Sequence, residues 1–169
     1  MLHIRHSIMS ILILWMLYVS SVFSFEKQSI GWLESVTIND HELKLQAKID
    51  SGATTSSIHA KIIKKFTRDG KKWIRFRVKN KRGQEIILEK RIQRYVKIKR
   101  KLMFSIKRPV IKLGICLGKV FRELEVNLAD RKNFLYPMLI GRNYLKGYFL
   151  VDSELKFTTK PSCRRSDKN

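Results

Sequence analysis

Apolar and polar residues alternate along most of this chain, and a period of two is the mark of β-strands with one buried face. In "KWIRFRVKN" the residues Ile74, Phe76 and Val78 fall on one side, with Arg75, Arg77 and Lys79 on the other. The turn "NKRG" and the run "QEIILEKRI" follow, so Trp73 to Ile92 reads as a β-hairpin with Gly83 at its tip. Upstream, Leu43, Leu45, Ala47 and Ile49 alternate with polar neighbours; downstream, Val96 and Ile98 alternate with Lys97 and Lys99. "KVFRELEVNLAD" repeats the pattern and offers Phe121, Leu124, Val126 and Leu128 to a core. Thr54, Thr55, Ile58, Ile62 and Ile63 favour strand over helix in the segment after residue 53. The pattern breaks once, at "RNYLKG", where Gly141 opens and Gly147 ends a short helix. "YFLVD" then reads as a last strand. Many short strands, glycine-bearing turns and one late helix predict an all-β fold, a small closed barrel.

The 169 residues are enough for one domain with a real core. The formal charge is +22, from 36 basic and 14 acidic residues. A charge of that size attracts anionic partners such as acidic peptides, envelope polyanions or nucleic acid, and is silent about fold. Residues 1–24 read as a targeting segment: a basic start at Arg5, an apolar run from Ile8 to Val19, and Val22 and Ser24 placed for cleavage before Phe25. The apolar run is shorter than the roughly 20 residues that span a bilayer, so a cleaved signal outranks an uncleaved anchor. The expected division is a signal over 1–24, one domain over 25–159 and a loose polar tail over 160–169. The expected location is exported, periplasmic or secreted, with membrane contact only through an uncleaved signal. Cys116 and Cys163 are compatible both with a disulfide and with buried thiols.

The candidate chemistry lies at "KIDSGATTSSIHA". A strand delivers Asp50 into a turn of Ser51, Gly52 and Ala53, where a glycine lets backbone N–H groups approach a carboxylate. Taken alone, Asp-Ser-Gly describes an ordinary turn between strands. One carboxylate is a weak hydrolytic catalyst, but two that share a proton deprotonate a water and protonate a carbonyl at once. A chain carrying one such loop obtains the second from a symmetry mate across a two-fold axis. A second element follows downstream, "YPMLIGRNYL", in which apolar residues run into Gly141, Arg142 and Asn143.

An apolar strand entering Asp-Ser-Gly-Ala, then a hairpin, then Leu-Ile-Gly-Arg-Asn before a short helix, resembles the retropepsin-like aspartic proteases. Together with "RPVIKLGICLG", "VNLADRKNFLYPMLIGRNYL" and "GYFLVD", it is similar to the bacterial retropepsin-like family long labelled ATP-dependent zinc protease. The resemblance covers about Gly31 to Asp152. It implies that Asp50 is the catalytic aspartate, that Ser51, Gly52 and Ala53 form its loop, and that the Ser51 hydroxyl locks two such loops in a dimer. It implies Gly141 beneath that loop and Arg142 in a structural ion pair, within the chain or at the interface between two subunits. It also implies a flap over the substrate, comprising Trp73, Ile74, Phe76, Val78, Gly83 and Ile86. The zinc and ATP of the label find no counterpart in the residues: there is no His-Glu-x-x-His and no Gly-x-x-x-x-Gly-Lys-Ser/Thr. His41, His59, Cys116 and Cys163 have no recognised metal spacing, and His59 reads as a packed residue; no metal and no cofactor are expected.

The sequence therefore predicts an exported aspartic endopeptidase, active as a homodimer on peptide or protein substrates, with acidic ones favoured by its charge. The rival is a catalytically inactive domain on the same scaffold that binds acidic polypeptides or envelope polyanions. Asp130 and Asp152, the other acids considered as partners for Asp50, lie outside any second Asp-Ser/Thr-Gly loop. Nucleic-acid binding, suggested by Trp73, Phe76 and Tyr95 among basic residues, ranks last and is not expected of an exported chain.

Overall fold

The computed structural model describes residues 26–38, 43–99 and 105–163. The segment read as a signal, His41 and residues 164–169 lie outside the described residues. The described residues form ten strands: β1 (Gln28–Ile38), β2 (Leu43–Ile49), β3 (Ser56–His59), β4 (Lys61–Arg68), β5 (Lys71–Lys79), β6 (Glu85–Lys99), β7 (Ser105–Leu117), β8 (Val120–Ala129), β9 (Met138–Ile140) and β10 (Phe149–Lys156). A single helical turn, α1 (Arg142–Leu145), separates β9 from β10. The all-β expectation with one late helix is what the described residues adopt.

The strands lie in the order β10-β1-β2-β9-β3-β8-β7-β6-β5-β4, and β1 also pairs with β7. That extra pairing, Thr37 with Cys116 and Ile38 with Ile115, closes β1, β2, β9, β3, β8 and β7 into a ring. Inside it the alternation becomes packing: Val36, Ile38, Leu45, Ile58, Leu113, Val126 and Met138 are buried together. Each such side chain contributes roughly 1.5–3 kcal/mol by leaving water. Two strands sit parallel to partners distant in sequence. β9 runs along β2, pairing Ile140 with Ile49, and β3 runs along β8, pairing Ser57 with Asn127. β9 is thereby fixed between the strand that ends at Asp50 and the strand that begins after its loop.

Outside the ring, β6, β5 and β4 continue the order as successive antiparallel hairpins. The β4–β5 turn is Asp69-Gly70, both in the left-handed region, as a two-residue turn matched to strand twist demands. β5 and β6 realise the predicted hairpin: Trp73 faces Arg91, Val78 faces Ile86, and Gly83 lies in the turn. Ile74, Phe76 and Val78 are fully buried and join the main core, with Arg75 and Lys79 exposed.

The expectation of a loose tail from Lys160 is corrected as far as Cys163. Phe157 donates its N–H to the Leu33 carbonyl, and the wholly buried Glu34 carboxylate accepts the N–H and hydroxyl groups of Thr158 and Thr159. A buried carboxylate requires such donors, and here they bind the end of the chain to β1. Ser162 donates to the Gly118 carbonyl, and Cys163 forms a disulfide with Cys116, resolving the two readings of the cysteines. Among the described residues no helix is long and apolar enough to cross a membrane.

Candidate active site

β2 ends at Ile49, and the Asp50 N–H donates to the Ile140 carbonyl at 2.9 Å, which fixes the chain direction at the mouth of the loop. The Asp50 Oδ1 atom accepts N–H bonds from Gly52 at 3.0 Å and Ala53 at 3.1 Å. These bonds hold the carboxylate in one orientation at the strand end. Ser51 and Gly52 are exposed, and Asp50 is half-buried.

The loop rests on Gly-Arg-Asn. A Cβ on Gly141 would stand 2.8 Å from the Ala53 carbonyl oxygen and 2.9 Å from the Thr55 carbonyl carbon, so only glycine fits beneath the loop. The Arg142 N–H donates to Ala53 O and the Asn143 N–H to Thr54 O, at 2.8 and 3.1 Å. The Arg142 guanidinium donates to the carbonyls of Ser51 and Gly52, both at 2.9 Å, and to the Thr54 hydroxyl. The ion pair implied for Arg142 is thus absent within this chain among the described residues; carbonyl oxygens of the loop take its donors instead. Asn143 Oδ1 accepts from the Ser56 N–H and hydroxyl, its amide donates to Glu125 O, and the Ser56 oxygen accepts the Gly141 N–H. Ser56 and Asn143 close a buried network that the sequence reading left without roles.

The implied flap residues are not brought to Asp50. Ile74, Phe76 and Val78 are core, Ile86 packs against it, and Trp73 lies under the Arg68 guanidinium at 4.8 Å. The turn carrying Gly83 is tied to the far end of β2, where the Asn80 amide donates to Lys44 O. Lys44 precedes Asp50 by six residues, about 20 Å of strand. On β7, Arg108 stands opposite Val96 of β6 and two residues before Val110, which pairs with Asn127 of β8; it therefore lies near the end of β8 that leads to Arg131, whose charge it repels.

Arg131 was not singled out by sequence. Only 8% exposed, it follows β8 and donates Nε–H to Tyr136 O at 3.3 Å and Nη1–H to the Ser57 hydroxyl at 3.2 Å. Its guanidinium covers the Phe134 ring at 4.4 Å. Burial, and then the Arg108 charge, pull its pKa below the usual arginine value, while the Asp50 carboxylate pulls the other way. Its backbone N–H donates to His59 Nδ1 at 2.8 Å, which makes the neutral, Nε2-protonated imidazole the bonded form.

Neither Asp130 nor Asp152 is bonded to the Asp50 loop. Asp130 is exposed beside His59, and Asp152 lies on β10 and turns back to the Glu154 N–H. The donor set does not suit zinc. His59 Nδ1 is occupied by an N–H, both cysteines are joined to each other, and the described residues hold no cluster of three or more His, Cys, Asp or Glu.

Comparison with known proteins agrees with this geometry. The chain is 37% identical over 116 residues to a probable alpha-L-glutamate ligase of Shewanella pealeana, and 34% identical over 120 residues to one of Desulfotalea psychrophila. These matches take in 67% and 66% of this chain, yet the chain spans only about a quarter of the length of either relative, 25% in both cases. A crystal structure of a Legionella pneumophila protein of unknown function (DUF785) superposes with a TM-score of 0.68 at 39% identity, covering 80% of this chain and all of that one. The model of the RimB-like family, described as retropepsin-like aspartic endopeptidase RimB, matches residues 29–162, from the first strand to the residue before the second cysteine. The chain belongs to the RimB-like family of retropepsin-like aspartic endopeptidases.

Proposed function

We propose that the chain is an aspartic endopeptidase whose working unit is a homodimer, with Asp50 of each subunit forming one catalytic pair. The observation that carries this reading is the Asp50 loop itself. A single carboxylate is oriented by two backbone N–H groups on a rigidly braced turn whose outer face, Ser51 and Gly52, is exposed. Two such loops meeting across a two-fold axis bring like charges together, so the pair holds one proton between them. The ionised carboxylate takes a proton from water as the water oxygen attacks a peptide carbonyl, and the protonated partner gives its proton to the carbonyl oxygen. Collapse of the tetrahedral species breaks the C–N bond, the nitrogen leaving with a proton returned by the pair. No covalent enzyme intermediate and no metal enter these steps.

Acidic peptides are the proposed substrate class. Between residues 61 and 99 sixteen lysines and arginines face three acids, a net +13 of the chain's +22. Such a field draws anionic chains toward the molecule. Relatives named as glutamate ligases, in which this domain matches a quarter of a longer protein, point to glutamyl peptides within that class. Export of the working chain is also proposed, on the targeting-like segment at 1–24 and on the Cys116–Cys163 disulfide, a bond that persists in oxidising compartments. The test is hydrolysis of a mixed peptide library by the chain beside Asp50→Asn. The expected outcome is cleavage that falls at least about a thousandfold in the variant, on the scale of losing one member of a catalytic unit. Equal cleavage by both would remove Asp50 from the chemistry.

A further inference from the structure

Part of the arginine set of this molecule is ion-paired and part is not. Where an acid is at hand on the surface, arginines pair with it: Arg68 and Arg75 with Glu89, Arg77 with Glu85, Arg94 with Glu125. Arg108 and Arg131 do not. Among the described residues neither is ion-paired, nor are Arg82, Arg91, Arg122 and Arg142, but Arg131 is the most buried of the described arginines. Its side-chain partners, the Tyr136 carbonyl and the Ser57 hydroxyl, are neutral, and the third, the Phe134 ring, is an aromatic face. Burying a guanidinium without a counter-charge is costly. A fold that holds one in place, two residues beyond the end of β8 and against the strand that leaves the Asp50 loop, keeps an unfilled demand for an anion there.

We propose that Arg131, with Arg108 beside it, forms a carboxylate-binding subsite next to the catalytic loop, and that it selects peptides with an acidic side chain adjoining the bond to be cut. This rests on the reading of Asp50 as the hydrolytic site, and it names the residues behind the acidic preference. The Asp50 pair, sharing a proton, supplies too little negative charge to balance two arginines per subunit. A substrate carboxylate supplies the rest, and Arg131 offers it donors of fixed, planar geometry. The Phe134 ring and the two neutral acceptors hold the guanidinium in one pose before the substrate arrives.

The test separates this subsite from its plain alternative, in which Arg131 only ties the 130–137 loop to Ser57. Two fluorescent peptides are compared, identical except for one Glu or Gln beside the scissile bond. Cleavage is followed with the wild-type chain, and binding with Asp50→Asn, where hydrolysis is absent. The wild-type pocket is expected to favour the Glu peptide by about tenfold or more in both readouts, the scale of a charge-assisted hydrogen bond. Arg131→Gln and Arg108→Gln are each expected to bring the ratio to within about threefold of unity, largely by weakening the Glu peptide. Lys72→Gln, which removes the same charge from the exposed end of β5, is expected to leave the ratio unchanged. If Arg131→Gln fails to fold, Arg108→Gln decides alone. An equal loss on both peptides, or an unchanged ratio in Arg108→Gln, overturns the subsite. So does a ratio that responds to Lys72→Gln as strongly, because long-range attraction then explains it. Binding that discriminates Glu from Gln without any cleavage by wild type supports the subsite and sinks the endopeptidase reading instead.

Discussion

Gly141 shows how much a single residue settles here. Its hydrogen atom occupies the space where any side chain would meet the backbone of Ala53 and Thr55, so the Asp50 loop is seated at its present height by the absence of a Cβ. Gly141→Ala is expected to lift that loop, costing about 1–3 kcal/mol of stability as overpacking does and most of the activity, measured by thermal unfolding and hydrolysis together. Tyr144, one helical turn further on, is buried with its hydroxyl donating to Val120 O at 2.7 Å and accepting the Leu117 N–H at 3.1 Å. Burial raises its pKa well above the ordinary phenol value. The unfolded chain ionises this tyrosine near pH 10 while the folded chain does not, so its contribution is complete below pH 10 and declines as pH rises beyond it. Tyr144→Phe is expected to lower stability by about 1–3 kcal/mol at neutral pH and to flatten the alkaline decline, read from denaturant melts at a series of pH values. At this scale the sequence was legible where a motif demands a backbone shape, as at Asp50, Gly52 and Gly141. It was mute on Arg131, whose burial depends on the 130–137 loop folding back over Ser57, a contact across 74 positions with no local signal.

Strands joined by short turns were readable from alternation and turn residues, because hairpins are local objects. The β5–β6 pair therefore appeared where the pattern placed it. Its position in the molecule did not follow from the same pattern. A hairpin with one apolar face serves equally as a lid or as a wall, and only the packing of Ile74, Phe76 and Val78 into the ring's core makes it a wall. The parallel pairings of β9 with β2, β3 with β8 and β10 with β1 were invisible for the opposite reason, since they join segments far apart in the chain. The disulfide belongs to this scale as well. It fastens the segment beyond β10 to the end of β7 across 47 positions. Loop-closure entropy for that span gives about 4 kcal/mol. The Cys116→Ser, Cys163→Ser double variant is expected to lose roughly that much in denaturant melts, and reduction of the wild-type chain to lose the same. A loss below about 1 kcal/mol would show that the Glu34 carboxylate and its threonines hold the tail without the bond.

The whole molecule presents two unlike regions. One is a closed ring of six strands that builds and braces the Asp50 loop. The other is the set of hairpins from β4 to β6, where most of the net positive charge lies. The ring explains a carboxylate held with great definition, and the charge is the ground on which anionic chains are proposed as its substrates. Among the described residues no second carboxylate is bonded to the Asp50 loop, and the proposal is that another copy of the chain provides it. The most direct test mixes wild-type chain with increasing amounts of Asp50→Asn at constant total protein, after unfolding and refolding together, and follows hydrolysis. Paired aspartates predict activity that falls with the square of the wild-type fraction, so that an equal mixture retains about a quarter. Activity that falls only in proportion, leaving about half, would mean that each Asp50 works alone and would contradict the shared pair.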